Sequence, residues 1–423
     1  MVEEIKNLMR KGFFHIFGSS VINKCITFMS SIVLVHILSK TEYGIFTYAW
    51  NIYSLLMLMN GLGSESAVLQ VCSENYNDKE YTEKVTSFGT KVGSSFNLLL
   101  CLMLIIIGIF MPLPIGNAKR VLMSLCLLPL FQYLYNLSLV ILRYRRENKG
   151  YSKIAIINTA VLFVSSLLFA YLFREIGLAI GYYIAFIISI AVAIKQYKIH
   201  YYNKNSLLDT KSKTDFMKIA LVSMSNNGLS QLLYLLDVFI LGIMFSDSSI
   251  LASYKIATTI PTALTFIPQA VITYVYSEFA NNNTNGDWCI KHYRKIIKYI
   301  GLMNFAISGV LFIFSDFIIC NIFGNEYLDA GPVFRILVVN YFISGTFRII
   351  SGNLLVTQRK LKFNFFVALL SGIVNIIFDC LFISLWGAIG AAMATISVVI
   401  ISSICSTAYL IYTFNNLKAG LEE

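Results

Sequence analysis

Residues 232–242 read LLYLLDVFILG, an uncharged run broken by a single aspartate, Asp237. An ionised carboxylate at the centre of a bilayer costs about 2.5–3.5 kcal/mol on insertion scales, so a partner must offset it if this run lies in hydrocarbon. The surrounding sequence puts it there. The chain has 423 residues, 57% of them hydrophobic and only 13% charged, with a mean hydropathy of +0.71, whereas soluble domains average about 25% charged. Barrel strands would read as ~10-residue alternating segments, but the apolar runs here are unbroken over about 20 residues or more. The expected fold is an all-α integral membrane protein.

With about 20 residues as the length that crosses a bilayer, twelve transmembrane helices are expected, near 13–38, 43–71, 85–111, 120–142, 151–173, 176–197, 217–244, 250–279, 296–322, 332–356, 363–385 and 388–413. Lysine and arginine concentrate in alternate connections, notably 72–84, RYRRENKG at 143–150, the segment 198–216, 280–295 and QRKLK at 358–362. The positive-inside rule then makes both termini cytoplasmic. The net charge of +11 is on this reading a topology signal, not a nucleic-acid surface. Met1–Gly12 carries Lys6, Arg10 and Lys11 but no cleavage site follows, so the first helix is expected to be retained.

The long polar segment KIHYYNKNSLLDTKSKTDF (198–216) divides the chain into an N-lobe (1–197), a cytoplasmic linker (198–216) and a C-lobe (217–423), six helices to each lobe. HILSKTEYGIFTYA (36–49) and LGIMFSDSSILASYKIA (241–257) are alike, each a polar turn followed by small and aromatic residues. An even number of spans per lobe makes such repeats parallel, related by a pseudo-twofold axis along the membrane normal.

Polar residues inside the spans fall on helical stripes: Ser20, Lys24, Thr27 and Ser31; Ser223, Asn227, Ser230, Tyr234 and Asp237; Lys255, Thr258, Thr262, Thr265 and Gln269; Asn364, Ser371, Asn375 and Asp379. Such faces are expected toward the bundle interior or a wet cavity between the lobes. Asp237 and Lys255 lie at similar distances from the turn SDSS (246–249), so an ion pair between them is one expectation. The other is that Asp237 takes up a proton or cation. Glu65, in NGLGSESAV (60–68), and Asp379 are the further coupling or gating candidates. The deep cations Lys24, Lys255 and Arg348, with Asn227 and Gln269, are candidates for binding an anionic cargo. No GxxxxGK[ST] loop or HExxH motif occurs, and the eight cysteines form no CxxC pair, so neither a P-loop nucleotide site, a metal nor a resident cofactor is expected.

Two blocks resemble the polysaccharide exporters of the multidrug/oligosaccharidyl-lipid/polysaccharide flippase superfamily, most closely the O-antigen or capsule-unit flippases. They are LSKTEYGIFTYAWNIYSLLMLMNGLGSESAVLQ (38–70) and LLDVFILGIMFSDSSILASYKIATTIPTALTFIPQAV (235–271), the second matching at Asp237, Leu241, Gly242, Ser253, Tyr254, Pro261 and Pro268. The resemblance implies a MATE-like fold in a bacterial cytoplasmic membrane, working as a monomer alongside a glycan polymerase machinery. It also implies alternating-access transfer of an undecaprenyl-diphosphate-linked oligosaccharide to the outer leaflet, driven by H+ or Na+. A drug or cation antiporter and a lipid II flippase are the related alternatives. A membrane polysaccharide polymerase is the enzymatic one, disfavoured because no outward loop exceeds about ten residues.

Overall fold

The computed structural model describes residues 13–202 and 208–419. Every regular element among them is helical. The first, α1 (Phe13–Ile37), is followed by α2 (Lys40–Met57). A capping box starts α2: the Glu42 N–H donates to Ser39 Oγ at 3.3 Å and the Ser39 N–H to the Glu42 carboxylate at 2.8 Å, so two otherwise orphaned donors are satisfied reciprocally.

The expected span 43–71 is broken in its middle. Gly61, Leu62 and Gly63 all adopt positive φ, at 56°, 52° and 75°, before α3 (Ser64–Glu74) resumes the helix. The break is held from α4 (Lys79–Phe110) by Asn97. Its Oδ1 accepts the Gly61 N–H, and its amide donates to Asn60 Oδ1 and to the Pro129 carbonyl, each at 2.7 Å. At Gly63 a side chain would strike the Ala220 carbonyl, so close approach as well as backbone conformation selects glycine.

Two short helices, α5 (Ala118–Ser124) and α6 (Leu128–Tyr144), form one stretch bent by 45°. Beyond them, α7 (Asn148–Tyr197) is continuous in hydrogen bonding except at Arg174, where φ is 53° and ψ −135°. It is a hairpin: Ser165 Oγ donates to the Gly181 carbonyl at 3.1 Å and Asn158 Nδ2 to Ser189 Oγ at 3.2 Å, contacts that require antiparallel arms. The Arg174 guanidinium secures the turn by donating to the Ile37 carbonyl at 3.0 Å, with Glu42 at 3.7 Å.

The remaining helices are α8 (Thr210–Met244), α9 (Ser248–Leu264), α10 (Phe266–Asn281), α11 (Gly286–Ile313), α12 (Ser315–Phe323), α13 (Gly331–Ile343), α14 (Ile349–Thr357) and α15 (Leu361–Lys418). Pro261 lacks an amide hydrogen, and the helix gives way at Thr265 between α9 and α10. A π-turn, Ser344–Arg348, links α13 to α14. The last element repeats the device of α7: Gly387 has φ 55° and ψ −131°, and Phe363 stacks on Tyr409 across the hairpin with centroids 3.8 Å apart. In each hairpin a glycine three residues after the turn, Gly177 or Gly390, lies against the backbone carbonyl of Phe169 or Phe382. Asn304 of α11 likewise echoes Asn97, donating to Thr346 at 3.2 Å and accepting from Tyr341 at 2.8 Å.

Against the expectation of twelve spans, the described residues contain eight helical stretches long and apolar enough to cross a bilayer, nine with the bent α5–α6 pair. Two of the eight are the α7 and α15 hairpins, whose arms the hydropathy reading separates.

The chain packs as two units, Met1–Gln231 and Leu232–Glu423. The division by packing falls within α8, between Gln231 and Leu232. The first part of α8 belongs to the first unit because its side chains are used there. Phe216 is buried edge-on against Phe88, centroids 5.3 Å apart, and Tyr81 donates to Ser212 at 3.3 Å. The Asp209 carboxylate accepts from the Ser212 N–H at 3.1 Å; the Ser212 hydroxyl and amide hold that carboxyl below its ordinary value. Within the first unit Val68, Val85, Leu137, Ile141 and Phe216 share a core; within the second, Val275, Phe279, Tyr293, Leu354 and Phe414 do.

Candidate functional site

Asp237 lies in the second unit and is buried. Three helical segments deliver donors to it. Tyr254 of α9 donates its hydroxyl to Oδ2 at 2.5 Å, Thr395 of the second α15 arm donates to the same oxygen at 2.6 Å, and Asn375 of the first arm donates to Oδ1 at 3.4 Å. Asp379, one turn beyond Asn375, faces Asp237 with its own carboxyl and is 0% exposed.

The expected Asp237–Lys255 ion pair is not formed. Tyr254 occupies the buried side of α9, and Lys255, next in sequence and about 100° further round the helix, is on the exposed side, with no ion pair among the described residues. The stabilisation of the Asp237 carboxylate thus comes from neutral donors.

The cluster has more acceptors than donors. Both Asp379 oxygens and Asn375 Oδ1 are buried and accept no hydrogen bond among the described residues. Buried oxygens left in this way each carry a desolvation penalty of about 1–3 kcal/mol or more. Carboxylate, amide and hydroxyl oxygens converging on one point are the donor set of a hard cation, or of a proton held between two carboxyls. No group of three or more His, Cys, Asp or Glu gathers among the described residues. The donors therefore suit a hard monovalent ion better than a thiolate- or imidazole-bound transition metal.

The other candidates are spread over both units. Glu65 is half-buried in the first, its Oε1 accepting from Asn60 at 2.7 Å and its carboxyl bonded by Asn136. Lys24 is exposed on α1, Gln269 is exposed on α10, and Arg348 is half-buried at the end of the π-turn; neither Lys24 nor Arg348 has an ion pair among the described residues. Asn227 lies on α8 where its side chain is outside the described residues. Arg335 is fixed by Asp316 Oδ2 and Ser315 Oγ, each at 2.6 Å.

Much of the stripe polarity is consumed within its own helix. Thr27, Ser31, Thr258 and Thr265 donate to the carbonyls of Asn23, Phe28, Lys255 and Thr262 at 2.7–2.8 Å. Hydroxyls bonded back to the preceding turn need no cavity, which weakens the inference from their spacing. The reading missed Thr395, a lone hydroxyl among small and apolar residues, and it missed the bridging role of Asn97 and Asn304. For those two the signal was present: FNLLL and MNFAI each place one asparagine in an otherwise apolar run.

The family described as "Polysaccharide biosynthesis protein" matches residues 33–332. No curated protein matches. Among solved structures the chain is similar to the lipid II flippase MurJ in an inward closed conformation, with a TM-score of 0.75 at 16% identity, covering 96% of this chain and 90% of that one. It is similar also to an inward-facing multidrug resistance MATE family transporter of the MOP superfamily, with a TM-score of 0.75 at 13% identity, covering 94% and 96%. A third is a MOP superfamily transporter from Pyrococcus furiosus, with a TM-score of 0.61 at 14% identity, covering 97% and 96%.

Proposed function

Because the chain belongs to the polysaccharide biosynthesis protein family, we propose that it is an ion-coupled flippase. Its cargo on this reading is an undecaprenyl-diphosphate-linked oligosaccharide, an O-antigen or capsule repeat unit, moved from the cytoplasmic to the outer leaflet of a bacterial cytoplasmic membrane by alternating access. The observation that carries the coupling is the Asp237–Asp379 cluster, where three buried oxygens lack donors. A cation or proton entering there satisfies them, and its release on the other side of the membrane would supply the driving force that a P-loop would otherwise supply.

In this reading Asp237 and Asp379 bind the coupling ion and Glu65 responds to it as a gate. Lys24, Lys255 and Arg348 take the diphosphate, as a point charge in the lysines and a fork in the arginine, while Asn227 and Gln269 bond sugar hydroxyls. The polyprenyl tail stays in lipid. The protein acts as a monomer, delivering to a glycan polymerase on the far side, and itself carries out no bond chemistry.

The test is transfer of fluorescent undecaprenyl-diphosphate oligosaccharide across proteoliposomes under an imposed Na+ or H+ gradient. Gradient-dependent transfer lost in Asp237→Asn and Asp379→Asn is the expected result. Transfer indifferent to both gradients and to both substitutions would overturn the coupling; transfer of lipid II alone would reassign the cargo.

A further inference from the structure

The first unit contains a second feature that the ion cluster does not explain. A cavity of about 540 Å³ opens between α4 and the start of α8. Its lining includes two ammonium groups, Lys91 and Lys213, and the apolar side chains of Leu62, Val92, Phe96 and Leu99. Among the described residues no aspartate or glutamate lines it and neither lysine has an ion pair. Lys213 Nζ lies 6.0 Å from the centroid of the Phe88 ring, a distance at the limit of a cation–π contact.

Leu99 joins this lining to the exposed surface of α4. Leu99 is 48% exposed, and the same face of α4 continues through Leu102 at 56%, Ile106 at 54% and Ile109 at 54%. In a membrane-spanning helix such a stripe is acyl-chain contact surface. Two ammonium groups above a trough that runs without interruption onto that stripe match a ligand with a negative head and a hydrocarbon tail. A soluble anion would leave the trough unused, and a neutral lipid would leave the ammonium groups uncompensated.

We propose that this cavity binds one anionic glycerophospholipid of the surrounding bilayer, its phosphate between Lys91 and Lys213 and one acyl chain laid along Leu99, Leu102 and Ile106. The lipid is a resident of the site and not the transported cargo. Bound there it touches Leu62, the middle residue of the positive-φ break between α2 and α3, so its presence bears on the geometry of that break.

Native mass spectrometry of the full-length protein in detergent tests this, with dioleoylphosphatidylglycerol as the probe and dioleoylphosphatidylcholine, inorganic phosphate and undecaprenyl phosphate as comparators. One phosphatidylglycerol should be retained in preference to phosphatidylcholine. Its affinity should fall about 30-fold in the Lys91→Gln/Lys213→Gln double variant, at roughly fivefold per lysine near a lipid surface. Leu99→Asn should weaken retention through the tail. Lys84→Gln, on the same helix but paired with Glu80 at 2.6 Å, should leave retention unchanged. Equal retention of phosphatidylcholine, unchanged retention in the double variant, or displacement by millimolar inorganic phosphate would each overturn the proposal. Displacement by undecaprenyl phosphate at lower concentration than phosphatidylglycerol would overturn it in favour of the cargo lipid.

Discussion

The Tyr254 hydroxyl donates to the Asp237 carboxylate across 2.5 Å, while Lys255, the adjacent residue, makes no contact with it. Of two neighbouring groups able to compensate a buried acid, the fold uses the neutral one and turns the charged one away from it. Tyr254→Phe should therefore destabilise the protein by about 1.5–3 kcal/mol, the range for a hydrogen bond to a charged group. Lys255→Ala should leave the unfolding temperature unchanged. Thermal unfolding in detergent distinguishes them, and the reverse ranking would restore the ion pair.

Asp379→Asn removes one of two facing carboxyls. In sodium-free buffer the variant should be at least as stable as the parent, because an uncompensated buried repulsion is gone. Sodium at 100 times its dissociation constant should stabilise the parent by about 2.7 kcal/mol through mass action and the variant not at all. A parent protein whose unfolding temperature ignores sodium but rises on acidification would assign the site to protons instead.

Asn97→Ala removes three hydrogen bonds, two to the α2–α3 break and one to the Pro129 carbonyl, and Asn304→Ala removes two from α11. At about 1 kcal/mol for each bond, with the Gly61 N–H left unsatisfied, the first should cost about 3 kcal/mol or more and the second about 2. Equal losses would show that the break does not depend on Asn97.

Gly177→Ala and Gly390→Ala each place a methyl group against a backbone carbonyl, of Phe169 and Phe382 respectively. Neither hairpin can relieve that by turning a side chain, so both variants should lose about 1–3 kcal/mol, the usual cost of overpacking. Gly352→Ala, with open space around it, serves as the control and should lose none of this stability.

Periodicity located the acids well and their partners poorly. Asp237, Asn375 and Asp379 were readable because a charged or amide side chain in hydrocarbon demands company, and they fall on stripes. Thr395 was not, since one hydroxyl in an apolar helix is ordinarily satisfied by its own backbone, as Thr27 and Thr258 are. The α7 and α15 turns could be inferred from the short interruptions Arg174–Glu175 and Trp386–Gly387, charged in the first and marked by a glycine in the second. The glycines of NGLGSES are a legible signal for close approach, and Gly63 lies against the Ala220 carbonyl. Three successive positive φ values were not legible, because Leu62 adopts one without the sequence signal that glycine gives. The divide within α8 was likewise hidden: hydropathy sees a polar segment at 198–216, but it does not see that Phe216 and Ala220 are buried in the first unit.

Three consecutive residues at Gly61–Gly63 have already left the helical ladder. For a rod of that length, flexing ordinarily means rupturing amide-to-carbonyl links and exposing them to hydrocarbon. Here the rupture is built in, and its loose ends are tied to the Asn97 carboxamide. Swinging α3 against α2 would need only torsional adjustment about two glycines and one leucine, which makes this segment a joint with its bearing supplied by another helix.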